Sequence, residues 1–312
     1  MAVLASVWAP LFWIGKPLGV LPLSLDRERF LVSRLSFVYT FCGAACFVLG
    51  GFQKTAAVLR KVFVEPLDGQ QILTFVSHSI VNAFALLNVY FSTKCARRLA
   101  AMFNELHALA KVTKRVPTLS TAAHVRTLVL LLQVAVFFNY MFFALYEKSS
   151  QGVSELVVSA LRVLSLTSIT CIGSHFCALC LVLRALVRAV NAELALLLAR
   201  EAHSDGPTLL QHQLLRLRFV YAKIFDICVD MNNVFGIFVL LALTQYNIYI
   251  HVEVFTLLRL LVDVTANPLN TWLFRHTQAL TWAVVNVAKI LAYFVCCSLV
   301  LSEVSISSFF QI

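Results

Sequence analysis

The side chains of this chain that could do chemistry are few, and most lie inside apolar stretches. Cys177 and Cys180 form a CxxC, a spacing that suits a metal ion or a redox couple, but no second pair of ligands accompanies it. Cys42, Cys46, Cys171, Cys177, Cys180, Cys296 and Cys297 all fall in apolar runs, which suits small buried hydrophobes better than a disulfide framework, and no metal is expected. Lys289 lies in a long apolar run, three residues after Asn286, so both occupy one helix face. An ammonium there is costly unless it meets water or a partner. That points to a cavity, a subunit interface or an ion pathway at Lys289, with an interhelical structural contact as the plainer reading. His78 and His175 read as hydrogen-bonded packing residues, and Asn82, Asn88 and Asn139 as amides that join helices. Thr74, His78, Asn139, Tyr140, Arg162, Gln245, Tyr246, Trp282 and Asn286 are the polar and aromatic groups that could line a pocket open to the outside. An apolar, aromatic cavity with a few polar groups suits a small organic ligand.

Catalytic signatures are missing from the sequence. It contains no GxSxG, HExxH or glycine-rich phosphate loop, and no paired carboxylates within its apolar stretches. Neither an enzyme nor a cofactor is expected, and proton- or cation-coupled transport would want ionisable groups near mid-membrane.

The elements that position these residues follow from composition. Of 312 residues, 60% are hydrophobic and 13% charged, and mean hydropathy is +0.85. A soluble core cannot hide that much apolar surface, whereas a bilayer removes the difficulty. Stretches of about 20 apolar residues span the roughly 30 Å hydrocarbon layer as helices. Six qualify: about 31–52, 71–91, 125–147, 156–181, 233–251 and 279–301. The expected fold is an all-α membrane bundle over 31–312, preceded by an interfacial or cytoplasmic segment over 1–30 in which Trp8, Phe12 and Trp13 suit the membrane surface.

The net charge of +10 is topological rather than a sign of nucleic-acid binding. Lys94, Arg97, Arg98, Lys111, Lys114 and Arg115 crowd the second connection, and Arg184, Arg188, Arg200, Arg216, Arg218 and Lys223 the fourth. Lys54, Arg60, Lys61, Lys148, Arg259 and Arg275 are all that the other side offers. The positive-inside bias therefore puts the basic side and the amino terminus in the cytoplasm, the reverse of a G-protein-coupled receptor. Between the fourth and fifth spans, Leu210, Leu214, Leu217, Tyr221, Ile224, Cys228, Met231 and Phe235 form one helical stripe in need of a partner. With Ser204-Asp205-Gly206-Pro207 as its turn, a helical hairpin over about 182–232 is expected to project from the bilayer.

Several stretches resemble the insect gustatory receptor family of the insect chemoreceptor superfamily. They are Pro10-Leu11-Phe12-Trp13-Ile14-Gly15-Lys16 with Leu18-Gly19 and Leu21-Pro22, then Leu214-Leu215-Arg216-Leu217-Arg218 leading through Asp230-Met231-Asn232-Asn233-Val234-Phe235-Gly236, and finally Cys296-Cys297-Ser298 with Glu303. The resemblance implies a ligand-gated, non-selective cation channel subunit that detects small-molecule tastants. It further implies assembly as a homo- or hetero-tetramer with related subunits in the plasma membrane of sensory neurons. The family has seven spans and ends in a Thr-Tyr…Gln-Phe signature. Ser308-Phe309-Phe310-Gln311-Ile312 echoes only its end, so a chain without the seventh helix, not competent alone, is the expectation. A six-span transporter is the competing reading, opposed by the lack of an internal repeat.

Overall fold

In the computed structural model, residues 23–26, 29–35, 37–38, 40–45, 48, 56, 60, 69–90, 94–112, 131, 134, 137–138, 141, 153–201, 207–262 and 269–308 are described. Two short strands come first, β1 (Leu23–Asp26) and β2 (Arg29–Val32), followed by α1 (Gly69–Tyr90), α2 (Ala96–Val112), α3 (Val153–Glu201), α4 (Pro207–Val262) and α5 (Leu269–Ser308). The chain is thus nearly all helical among its described residues, with one antiparallel hairpin added to the expected all-α bundle. The hairpin pairs Leu23 with Val32 and Asp26 with Arg29. It exists because α2 completes it. Asn104 accepts from the Phe30 amide at 2.8 Å and donates to the Phe30 carbonyl at 3.1 Å, so its amide acts as one more strand residue. The Phe30 ring turns inward against Phe103, with centroids 5.1 Å apart. Helical backbone starts only at Arg34, so the first expected span loses its opening residues to β2.

The basic segment between the second and third expected spans contains the amphipathic helix α2. Leu99, Met102, Phe103, Leu106, Leu109 and Ala110 recur at helical spacing and are buried, while Arg97, Arg98, Glu105 and Lys111 face outward. The α2 helix packs on β2 and on the first half of α4, supplying a partner for the stripe in which Leu217, Ile224, Met231 and Phe235 are buried. Arg98 donates from Nε and Nη2 to Asp230 Oδ1 at 2.9 and 2.5 Å, and Arg216 donates to the Val112 carbonyl at 2.8 Å.

Helices α3, α4 and α5 run far beyond any membrane-spanning minimum. At about 1.5 Å per residue, the 49 residues of α3 and 56 of α4 reach about 74 and 84 Å, against a hydrocarbon layer of roughly 30 Å. Proline punctuates them correctly: Pro207 occupies the first position of α4, where its missing N–H costs nothing, and Pro268 directly precedes α5. Three helices among the described residues are long and apolar enough to cross a membrane, within Leu166–Ala199, Gln211–Val262 and Arg275–Ser305, and α1 has a shorter apolar stretch, Phe75–Phe84. The expected span at 125–147 falls largely outside the described residues, and within 31–52 the described residues 34–35, 37–38, 40–45 and 48 are helical.

The helices are not equivalent. The apolar part of α3 is 83% buried inside the protein, whereas those of α4 and α5 are 33% and 22% buried. Helix α3 is therefore the axis, with α1, α4 and α5 around it. The outer faces of α4 and α5 present Ile237, Leu240, Val254, Phe255, Leu280, Val284, Leu291 and Phe294, a surface that suits lipid and not water.

Candidate functional site

Side chains on a central membrane helix must satisfy their polar atoms locally or by contact with a neighbour. Helix α3 does the first. Thr167, Thr170 and Ser174 donate to the carbonyls of Val163, Leu166 and Thr170 at 2.7–2.9 Å, and His175 Nδ1 lies 2.7 Å from the Cys171 carbonyl oxygen. Gly173 does the second by absence: a Cβ there would collide with the Tyr293 hydroxyl, so the glycine lets the phenol of α5 lie against the α3 backbone. The Phe176 ring flanks the same phenol, 5.8 Å away between centroids.

Helix α4 adds Tyr246, whose ring lies 6.3 Å from that of Tyr293 and whose hydroxyl is in hydrogen-bonding range of Thr170 and Tyr293. The Lys289 ammonium sits 4.9 Å from the Tyr246 ring centroid, a cation–π contact that eases burial of a charge. Lys289 is 3% exposed and lies next to the midpoint of the Arg275–Ser305 apolar segment. One turn earlier on that face is Asn286, fully buried, and neither its amide nitrogen nor its oxygen has a hydrogen-bond partner among the described residues. Another turn earlier, Trp282 packs on Tyr249 at 6.2 Å. On the neighbouring face of α4, Gln245 Nε2 donates to Ser77 Oγ of α1 at 2.8 Å, while Gln245 Oε1 is buried without a partner among the described residues.

Trp282, Asn286, Lys289 and Tyr293 thus form one stripe on α5, meeting Tyr246 and Tyr249 of α4 and Thr170 and Gly173 of α3. The layer offers amide donors and acceptors, phenol hydroxyls, one cation and aromatic faces, held by rigid helices. That inventory can bind and orient a small polar molecule. It contains no nucleophile activated by a base, and among the described residues no cluster of side chains is placed to hold a metal ion.

Over residues 9–306 the chain matches the family described as 7tm chemosensory receptor. The chain belongs to that family. No curated protein matches the receptor chain at a significant level. Membership agrees with the gustatory resemblance carried by the Trp13, Arg216–Arg218 and Cys296–Cys297 stretches, and the family is not one of enzymes.

The structure of the receptor brings together only part of the expected pocket. Tyr246, Trp282, Asn286 and Lys289 share the α4–α5 seam. Gln245 sits instead where α4 meets α1, donating to Ser77, and His78 is buried next to Ser77 in the sequence of α1. Thr74 and Arg162 lie on α1 and α3, with side chains outside the described set, and Asn139 and Tyr140 fall outside it altogether. Tyr293, Tyr249, Thr170 and Gly173 escaped the sequence reading. Tyr293 alone carried a signal, since it continues the 282, 286, 289 spacing by one further turn.

Proposed function

We propose that this receptor chain is a subunit of a ligand-gated, non-selective cation channel that responds to small-molecule tastants. The family match across residues 9–306 carries the reading, and the buried polar seam supports its location. An amide held fully buried with both polar atoms unpaired is a poor device for folding and a good one for a ligand. The tastant binds along Trp282, Asn286 and Lys289 of α5 against Tyr246 and Tyr249 of α4. Binding shifts α5 relative to α3, and α5 transmits the shift toward the end where Arg184 meets Glu303.

In this proposal the chain works as a homo- or hetero-tetramer in the plasma membrane of sensory neurons. The end bearing Arg97, Arg98, Lys111, Arg184, Arg188, Arg216 and Arg218 faces the cytoplasm, and Arg259 and Arg275 mark the outside. Lys289, at mid-membrane and beside a tyrosine face, raises the local potential of the seam and favours ligands rich in hydrogen-bond acceptors.

The test is electrical. Cells expressing the chain, alone and with related subunits, are challenged with a panel of small polar compounds while current is recorded with G-protein signalling blocked. Ligand-evoked cation current that Asn286→Leu and Lys289→Met reduce at least tenfold in sensitivity supports the reading. A response abolished by the G-protein block, or a glycosylation tag at the amino terminus modified on the outside, overturns it.

A further inference from the structure

The CxxC of α3 meets a second pair of thiols that the sequence places more than a hundred residues away. The Cys177 thiol is hydrogen-bonded with Cys296, and that of Cys180 with Cys297. Other contacts fix the same register independently. Gly173 meets Tyr293, Phe176 packs on Tyr293 at 5.8 Å, and Arg184 Nε reaches Glu303 Oε1 at 3.4 Å, so α3 and α5 run side by side in one direction. Cys177 lies one turn beyond Gly173, Cys296 one turn beyond Tyr293, and the second pair follows at once. All four are free thiols. Cys177 and Cys297 are partly exposed, whereas Cys180 and Cys296 are buried, so each pair joins one reachable sulfur to one shielded sulfur. That is the arrangement of an attacking and a resolving thiol. Cys228 of α4, half-buried, is the next thiol near Cys180. Nothing in receptor membership asks for four thiols in two facing pairs.

We propose that Cys177–Cys296 and Cys180–Cys297 form an oxidisable double clasp, closed by a small neutral two-electron oxidant of the peroxide class, which locks α3 to α5. In each pair one sulfur, as thiolate, attacks one oxygen of hydrogen peroxide. The O–O bond breaks, a sulfenic acid forms, and the departing hydroxide takes the thiol proton and leaves as water. The other thiol of the pair then attacks the sulfenic sulfur; the S–S bond forms, the S–O bond breaks, and the second water carries off the remaining proton. Two thiols lose two electrons and one peroxide gains them. The product is a cross-link between helices that Arg184 and Asn191 also tie to Glu303 nearer the basic end, so closure fixes the register of α5 on α3 just beyond the Gly173–Tyr293 contact. A dithiol reductant reopens it.

The experiment uses the full chain with a protease site inserted between residues 262 and 269. The protein, in membranes, is treated with hydrogen peroxide, capped with N-ethylmaleimide, cleaved, and run without reductant. Closure predicts that the α5 fragment stays joined to the preceding fragment and is released by dithiothreitol. Peptide mass spectra should then show 177–296 and 180–297 links, each two hydrogens lighter than the thiols. Cys177→Ser with Cys180→Ser abolishes the joined species, either single change leaves one link, and Cys228→Ser leaves both. No linkage at a peroxide dose that fully oxidises a small thiol added to the same membranes overturns the proposal, as do links to Cys228 or between two chains. Because the wild-type mass spectrum decides, a variant that fails to fold does not blunt the test. Tastant response is not the readout, so failure here is separate from failure of the channel reading.

Discussion

Replacing Asn286 with leucine removes an amide that is fully buried and whose nitrogen and oxygen both lack a hydrogen bond among the described residues. A buried polar group left unsatisfied costs about 1–3 kcal/mol. Two such atoms on one side chain give about 2–6 kcal/mol, centred on about 4 kcal/mol, and water entering a polar seam halves this to about 2 kcal/mol. Leucine keeps asparagine's branching at Cγ but is larger, so overpacking takes part of the gain. At about 2 °C per kcal/mol for a chain of this size, the thermal midpoint should rise by no more than about 4 °C. The assay is the surviving monodisperse peak after stepwise heating of detergent-solubilised protein. Asn286→Ala serves as the control, since it removes the same amide but opens a cavity and should gain less. On the proposed function, the accompanying effect has the opposite sign, a loss of ligand sensitivity in the stabler protein, as expected where a polar group is kept for binding. A midpoint that falls by several degrees, with the variant still eluting normally when cold, would mean that the amide is well bonded and that the seam is ordinary packing.

Gly173→Ala should destabilise the receptor by about 1–3 kcal/mol, because the new methyl meets the Tyr293 phenol, and Tyr293→Phe in the same chain should recover part of the loss in the same heating assay. Arg98→Ala should cost no more than about 1 kcal/mol, since the Arg98–Asp230 pair is exposed; Arg98→Glu should cost more, and adding Asp230→Arg should restore stability, with all differences shrinking in high salt. Burial holds the Cys95 thiol above its ordinary pKa, partly offset by Arg98, so less thiolate is present at a given pH. Maleimide should label Cys95 more slowly in the folded receptor than in the chain unfolded in denaturant near neutrality, the gap should close as pH rises past the raised value, and Arg98→Ala should slow labelling of the folded protein further.

Hydropathy located the long helices, because apolar runs of that length have few other solutions, and it placed Asn286 and Lys289 as costly residues in such a run. What hydropathy does not encode is which neighbour an apolar face meets. The stretches of α3 and α5 score alike as spans, yet one is the protein's axis and the other faces outward along Leu280, Val284, Leu291 and Phe294. Helix α2 is legible in the sequence. Its Arg97, Arg98 and Lys111 marked it as a connection, while the spacing of Leu99, Phe103, Leu106 and Ala110 already described an amphipathic helix. Thr170, Gly173 and Tyr293, and the facing of the two cysteine pairs, depend on the register between helices far apart in sequence, which no local pattern carries.

The way α3 satisfies its polar groups bears on how the receptor moves. Thr167, Thr170 and Ser174 bond backward within their own helix, so these hydroxyls keep a partner when α3 shifts against α4 and α5. At the basic end the situation is reversed. Arg184 reaches the Glu303 carboxylate at 3.4 Å and Asn191 Nδ2 donates to the Glu303 carbonyl at 2.9 Å, pinning α5 to α3 at one turn. A helix held by an ion pair and an amide near one end pivots there, so displacement is larger at the tyrosine seam than at Glu303. Removing the pin should therefore loosen coupling and leave the seam's ligand contacts in place. Glu303→Ala combined with Asn191→Leu is expected to lower the maximal ligand-evoked current severalfold, with the concentration for half-response moving less than about threefold, because binding contacts persist while their transmission weakens. An equal loss in sensitivity, with the maximal current intact, would place the pin in binding and refute the pivot.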